Sequence, residues 1–493
     1  MNIATMIILA FLLFCLFLGI QAKKGKEMNM EQWAVGGRGF GYMFVFILMA
    51  GEGYSTFTML GASGWAYSKG VPAYYVLSYT ALAFAIGYWL LPPIWRYAKE
   101  HNIVSQPDFF TYKYKSKSLG VLTAVVGIIA MIPYIIIQFK GLGIIVSETS
   151  YGTISPTLSI IIGMICITIY VMISGIHGSA WTAVIKDILV FFIIAFLGIY
   201  LPYHYYGGLQ PMFEAVSAAK PDFLTFSESG LSISWFISTV LLSVLGLYMW
   251  PHSLVPVFSA KNEKTFKKNA IMMPAYTLML LFVFFVGFAA ILKVPGLVGA
   301  EGDLALLRIS VQTFSPWFVG LIGAAGLLSA LVLSSILLMT TSTILANNIY
   351  KLFDPGASSV KVGKIAKLCV PLVSLLCLYF TLGNSNSLTV LFLSGFSIVT
   401  QLFPAFFASL FKKNPFTTQG AFVGITLGVS VVLYTTITQQ TMGTLFPHMP
   451  QVMKDLNIGV LALVINMISM SIVSAVPPKH SSLVGQESKE EAI

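Results

Sequence analysis

The sequence predicts an all-α integral membrane protein with 13 transmembrane helices, and three observations predict it. First, 57% of the 493 residues are hydrophobic and only 9% are charged, with a mean hydropathy of +0.85. A soluble domain carries about 25% charged residues. Second, the apolar runs are about 20 residues or longer, the length of a helix that crosses the hydrocarbon layer and too long for barrel strands. Third, the basic residues fall on alternate sides of those runs.

The spans run approximately 3–21, 42–67, 72–94, 119–147, 155–175, 180–203, 232–257, 269–292, 316–345, 365–383, 387–411, 417–437 and 457–476. The first lacks a basic leader and is followed by Lys23, Lys24 and Lys26, so it reads as a retained helix rather than a cleaved signal. With the N-terminus outside, the loops and tail on the cytoplasmic side hold 21 Lys and Arg and the external side holds five. Cytoplasmic loops are the ones enriched in Lys and Arg, so this orientation places the C-terminus in the cytoplasm. Net charge is +10, which in a soluble protein raises nucleic-acid binding. Here topology accounts for the charge, and no nucleic-acid partner is expected. The four cysteines, Cys15, Cys166, Cys369 and Cys377, lie inside apolar spans and read as packing residues rather than a disulfide framework or metal cluster.

Two spans contain what a simple crossing avoids. In the second, Gly51 and Gly53 bracket Glu52 near mid-span, followed by Tyr54, Ser55 and Thr56. Each glycine lowers helix propensity by about 1 kcal/mol, and an ionised side chain at that depth costs about 2.5–3.5 kcal/mol on insertion scales. Unwound backbone is tolerated in a membrane only where it is buried in protein or lines a wet cavity. In the seventh span, Met249-Trp250-Pro251-His252 is followed by Pro256, and proline removes a helix hydrogen bond. The interrupted spans are five apart. Five is odd, so two consecutive five-helix units lie in opposite orientations, the pattern of an inverted-repeat transporter with a site at the bilayer midplane. The chain then divides into 1–41 (first helix and cytoplasmic loop), 42–206 (first repeat), 207–231 (external loop), 232–411 (second repeat), 412–476 (two further helices) and a disordered cytoplasmic tail, 477–493.

The chain resembles the sodium:solute symporter family over nearly its whole length, and within it the bacterial monocarboxylate permease branch. The residues that carry the likeness are Gly51-Glu52-Gly53-Tyr54-Ser55-Thr56-Phe57-Thr58, Gly64-Trp65-Ala66-Tyr67, and Pro133-Tyr134 with Gln138 and Gly141-Leu142-Gly143. Others are Ala180-Trp181-Thr182 with Lys186-Asp187, Met249 to His252, and Asn348-Ile349-Tyr350-Lys351. The resemblance implies the leucine-transporter-type five-plus-five fold in a bacterial plasma membrane, alternating access, and uptake of pyruvate, lactate, acetate or a similar carboxylate. It also implies a sodium site made by carbonyls of Gly51 and Tyr54 with two adjacent hydroxyl residues on the ninth helix. Counting back from Asn348 puts that pair at Val332 and Leu333, which cannot ligate a cation; Ser334 and Ser335 follow directly. Sodium wants oxygen ligands, so the coupling ion is left open between Na+ and H+.

Charged residues inside spans are functional candidates by default. Lys186 and Asp187 form a structural pair or contact other helices; alternatively Lys186 projects into the cation position and carries a proton instead. Glu52 either carries a proton or attracts a cation at the break, or caps freed backbone N–H groups. The substrate site is expected from Gly51, Glu52, Gly53, Ser55, Thr56, Gln138, Trp250 and His252. Freed N–H groups at the breaks would hold a substrate carboxylate. Lys140 either snorkels or faces the pathway. Trp95, Tyr97, Tyr203 and Tyr205 read as interfacial belts.

There is no Ser/His/Asp set, metal-ligand spacing or phosphate-binding glycine loop, so neither an enzyme nor a primary pump is expected, and no cofactor. The expected partners are a small organic anion and membrane lipid, with no obligate protein partner. Competing readings are a sodium symporter for an amino acid or pantothenate, and a non-transporting membrane sensor on a transporter frame.

Overall fold

The computed structural model describes residues 2–24 and 29–476. The tail 477–493, with Lys479 and Lys489, and the loop residue Lys26 lie outside the described residues. The spanning helices are numbered α1 (Ile3–Lys23), α2a (Tyr42–Gly53) and α2b (Phe57–Lys69), α3 (Tyr75–Glu100), and α4 (Lys117–Thr149). Then follow α5 (156–174), α6 (176–206), α7a (Ile233–Met249), α7b (Pro251–Ser259), α8 (Lys264–Lys293) and α9 (Pro316–Phe353). The last four are α10 (Ser359–Leu382), α11 (Leu388–Ala408), α12 (Thr418–Ile437) and α13 (Ile458–Ala475).

Helix starts follow local chemistry. Asn2, Ser116, Ser155, Ser358, Ser387, Thr417 and Asn457 each accept a backbone N–H with their side chain at the start of a span. Such caps satisfy donors that have no partner within the helix. Residues 156–206 form 51 residues of continuous helical pattern, about 76 Å at 1.5 Å per residue, more than twice the hydrocarbon thickness. Gly175 interrupts it with φ 54° and ψ −148°. A Cβ at that position would also stand 2.5 Å from Trp33 Cδ1, so only glycine fits. Ten helices are long and apolar enough to cross a membrane among the described residues, and twelve with each bent pair counted once. Counting α5 and α6 as separate crossings brings this reading of length and composition to thirteen.

The bends lie at the glycines and prolines singled out above. α2a and α2b meet at 43°, and α7a and α7b at 56°. A β-bridge between Phe40 and Ala260 ties the loop entering α2 to the end of α7b. α9 is the centre of the bundle: 94% of its most apolar stretch is buried, against 28% for α1 and α13. It packs on α1, α4, α5–α6 and α10, while α12 and α13 pack chiefly on each other. The loop 207–231 contains a short helix, Leu209–Ala219. Trp95 departs from the belt expectation. It is buried and donates from Nε1 to the Ala260 carbonyl at 2.8 Å, whereas Tyr203 is exposed.

Candidate transport site

The break in α2 begins where two glycines have weakened the helix. Tyr54 leaves helical geometry at φ −120°, ψ 77°, and the chain re-enters through a wide π-helical turn, Phe57–Gly61. The carbonyl of Tyr54 is thereby freed. Lys186 Nζ, on the fully buried side chain of α6, donates to it at 2.9 Å. Asp187 Oδ1 lies 2.5 Å from the same ammonium. A Cβ added to Gly51 would stand 3.8 Å from both Lys186 Nζ and Val332 Cγ1, so the ammonium sits between the α2 break and α9. The Tyr54 hydroxyl donates to the Tyr276 carbonyl at 2.9 Å, which anchors the break to α8.

The break in α7 is built differently. Trp250 is extended at φ −65°, ψ 125°, and Pro251 supplies no donor. Ser253 Oγ donates to Glu52 Oε1 at 2.5 Å, and His252 Nε2 lies 3.2 Å from the same oxygen without hydrogen-bond alignment. One carboxylate thus joins the two unwound segments. Around it Tyr134 from α4 sets its ring 5.1 Å from Trp250, 5.3 Å from His252 and 5.0 Å from Phe392, and Phe57 stacks on Phe392 at 3.9 Å. The enclosed space bounded by Glu52, Gly53, Phe57, Tyr79, Tyr134 and Phe392 has room for about one water molecule. The site is closed in this conformation.

Several buried polar atoms of the expected site residues have no hydrogen-bond partner among the described residues: both amide atoms of Gln138, Thr56 Oγ1 and Trp250 Nε1. Gln138 follows Tyr134 by one helical turn and so shares its face. A buried polar group left unpaired costs about 1–3 kcal/mol. Ser55 is buried at the side of the Tyr134 hydroxyl.

The expected site residues therefore separate into groups. Gly51, Tyr54, Lys186 and Asp187 meet at the α2 break; Glu52 faces His252, with Gly53 lining the same small space; Trp250 joins Tyr134. Ser335 lies elsewhere: its hydroxyl is 2.7 Å from Ser179 Oγ and donates to the Val332 carbonyl at 2.6 Å. Ser334 is buried with its hydroxyl unpartnered, and it is Val332 whose side chain stands at Gly51. Ser253, Phe57, Phe392 and Tyr79 were not picked out as site residues. Ser253 could have been found two positions after the proline, while Phe392 is one apolar residue on an apolar span and carries no signal.

Each end of the bundle has an acid outside the spans, half-buried Asp108 at one and buried Asp303 at the other. Asp108, in the link between α3 and α4, accepts from Asn347 Nδ2 at 2.9 and 3.0 Å, Asn348 Nδ2 at 2.7 Å and the Val104 N–H at 3.3 Å. Burial raises its carboxyl above the usual range, opposed by those donors. Cavities of about 240 and 330 Å³ flank it, both lined by Lys351. At the other end Asp303 accepts the Leu388 N–H, at 2.9 Å, at the start of α11, and burial pushes it up to about 7. Nearby, Lys140 Nζ donates to the Asn386 carbonyl at 2.5 Å.

Two interrupted helices facing each other across a buried polar centre define a secondary-transporter fold. Solved structures agree. The chain superposes on a Na+-coupled sialic acid symporter in a substrate-bound outward-open state with TM-score 0.78, at 18% identity and 96% coverage of both chains. It also matches Mhp1, a nucleobase-cation-symport-1 family transporter in a closed conformation with bromovinylhydantoin bound, at TM-score 0.54 and 13% identity, covering 90% of this chain and 95% of that one. Residues 33–428 match the sodium:solute symporter family. Among relatives, the uncharacterized symporter YhjB of Bacillus subtilis (strain 168) is 58% identical over 487 residues, covering 99% of this chain and 100% of that one. A monocarboxylate transport permease protein of Rhizobium johnstonii is 28% identical, covering 82% of each chain. The chain belongs to the sodium:solute symporter family: it is a multi-pass membrane symporter of a small solute, not an enzyme.

Proposed function

We propose that this symporter imports a short monocarboxylate together with a proton carried at Lys186. One observation carries the reading: the Lys186 ammonium donates to the Tyr54 carbonyl at the α2 break, beside Gly51 and Val332. A sodium ion there would need oxygens from both helices, but α9 contributes Val332, and the Tyr54 carbonyl already accepts from the lysine. The lysine's hold on the Tyr54 carbonyl and the commitment of Ser335 to Ser179 support a proton over sodium, with Ser334 the one neighbouring α9 hydroxyl left unpartnered among the described residues. A protonated lysine brings the same single charge on a tether. Losing its proton releases the Tyr54 carbonyl and leaves Asp187 uncompensated, so the break is free to rearrange. Rebinding a proton restores the arrangement, and that cycle is what alternating access needs.

The substrate's carboxylate is received at the Ser253 hydroxyl and His252 with N–H groups freed at the breaks, and the Gln138 amide, Trp250 Nε1 and the Thr56 hydroxyl are left for its remaining polar atoms. The permease from Rhizobium supports the same substrate class. In this reading repeats 42–206 and 232–411 move against each other, the N-terminus is external, and the end holding Asp108 faces the bacterial cytoplasm.

The test is uptake into proteoliposomes of labelled pyruvate, lactate and acetate, with proline and pantothenate as comparators. With an inward proton gradient held fixed, replacing sodium by choline leaves monocarboxylate uptake unchanged, and a protonophore abolishes it. Collapse on sodium removal overturns the proton assignment. Uptake of proline or pantothenate alone overturns the substrate class.

A further inference from the structure

The contact that joins the two breaks has the chemistry of the cargo. Glu52 presents a carboxylate to the Ser253 hydroxyl at 2.5 Å and to His252 at 3.2 Å, and it borders the closed space with Tyr134 and Phe392. An incoming monocarboxylate needs the same partners: a hydroxyl donor, an imidazole and an aromatic wall. We infer that Glu52 is an internal stand-in for the substrate's carboxylate, holding the site shut until a substrate carboxylate displaces it from Ser253 and His252. This rests on the monocarboxylate reading above and names a residue that sets the affinity of that site.

Two carboxylates cannot both stay ionised on one pair of donors. A carboxylate stripped of its partners inside the membrane is strongly disfavoured. Displacement therefore carries a cost that the substrate's own contacts must offset, and through that cost Glu52 sets the affinity of the site. The groups facing Glu52 are His252 from α7b, Tyr248 from α7a, Tyr79 from α3 and Tyr134 from α4; α11 faces it with Phe392. Lys186 is held apart, on the Tyr54 carbonyl and Asp187.

The experiment measures binding of pyruvate, lactate and acetate to the purified full-length protein in detergent, with no ion gradient, by isothermal calorimetry at pH 7.5. Glu52→Gln keeps an acceptor for Ser253 and removes the competing charge. It is expected to bind monocarboxylate about tenfold more tightly than the parent, because a charge-assisted contact no longer has to be broken. Loss of a merely structural contact would weaken binding, not strengthen it. Weaker or unchanged binding by Glu52→Gln overturns the inference while the monocarboxylate reading stands. Failure of the parent to bind any of the three acids overturns both.

Discussion

The breaks in α2 and α7 meet at the Glu52–Ser253 contact but are stabilised by different means. The α2 break is electrostatic: a freed carbonyl, a fully buried ammonium and a carboxylate within 2.9 Å. The α7 break is aromatic, with Trp250 and His252 packed on Tyr134 and with no charge of its own apart from the imidazole. Charge is a steep, protonation-dependent interaction in a low-dielectric interior. Aromatic packing depends on shape and changes little with ionic conditions. The α2 break is thus suited to sensing the coupling ion and the α7 break to fitting the solute, and Glu52 links them.

Removing the charge at the α2 break should have the largest effect. Lys186→Met preserves length and burial but leaves Asp187 as a buried carboxylate without its cation. Breaking a buried pair in this way costs about 3–5 kcal/mol. Thermal unfolding of the purified protein should therefore shift downward, and gradient-driven uptake should be lost. The double substitution Lys186→Met with Asp187→Asn removes both charges and should recover most of the thermal stability while uptake stays absent. Recovery of proton-driven uptake in the double variant would break the division of labour between the two breaks.

An intermediate effect, confined to the solute, is expected from α11. Gly395 lies under the Trp250 ring, and a Cβ there would stand 2.5 Å from Trp250 Cη2. Overpacking of this kind costs about 1–3 kcal/mol, and here it tilts the wall of the site. Gly395→Ala should raise the KM for monocarboxylate several-fold, within the tenfold range that about 1.4 kcal/mol allows. Its dependence on the proton gradient should not change. A shift in ion dependence would show that the α7 side also takes part in coupling.

How much of this was legible in the sequence follows from the same contrast. Glycines, prolines and charges where an apolar helix should run are costly, so they are visible: Gly51, Glu52, Gly53, Lys186, Asp187 and Pro251 all stood out, and all lie at the two breaks. Residues whose importance comes from where they point were not legible. Phe57 and Phe392 look like any lipid-facing phenylalanine, and Ser253 looks like any hydroxyl packed between helices. The faces of α9 could not be assigned either, since Val332, Ser334 and Ser335 are separated by rotation about the helix and not by composition. Gly175 was passed over because a single glycine in a membrane span is ordinary; its positive φ appears only in the folded backbone. Trp95 was misread as a belt residue because a span-end tryptophan is usually interfacial, whereas this one satisfies its N–H on the Ala260 carbonyl.

The smallest effect is expected at the position that first drew attention. Gly51→Ala places a methyl 3.8 Å from Lys186 Nζ and from Val332 Cγ1, an ordinary contact distance on both sides. Gly51 itself is still within α2a, so alanine should add up to about 1 kcal/mol of helix stability there. If a tethered ammonium fills the gap between α2 and α9, the extra methyl only tightens packing, and uptake should stay within about twofold of the parent, a change worth under 1 kcal/mol. A bare cation in the same gap would respond differently, because its affinity depends on carbonyl positions to a few tenths of an ångström. Uptake by Gly51→Ala measured against a sodium titration at fixed pH therefore separates the two: a flat response keeps the α2 break as a lysine seat, and a displaced sodium dependence makes it an ion site.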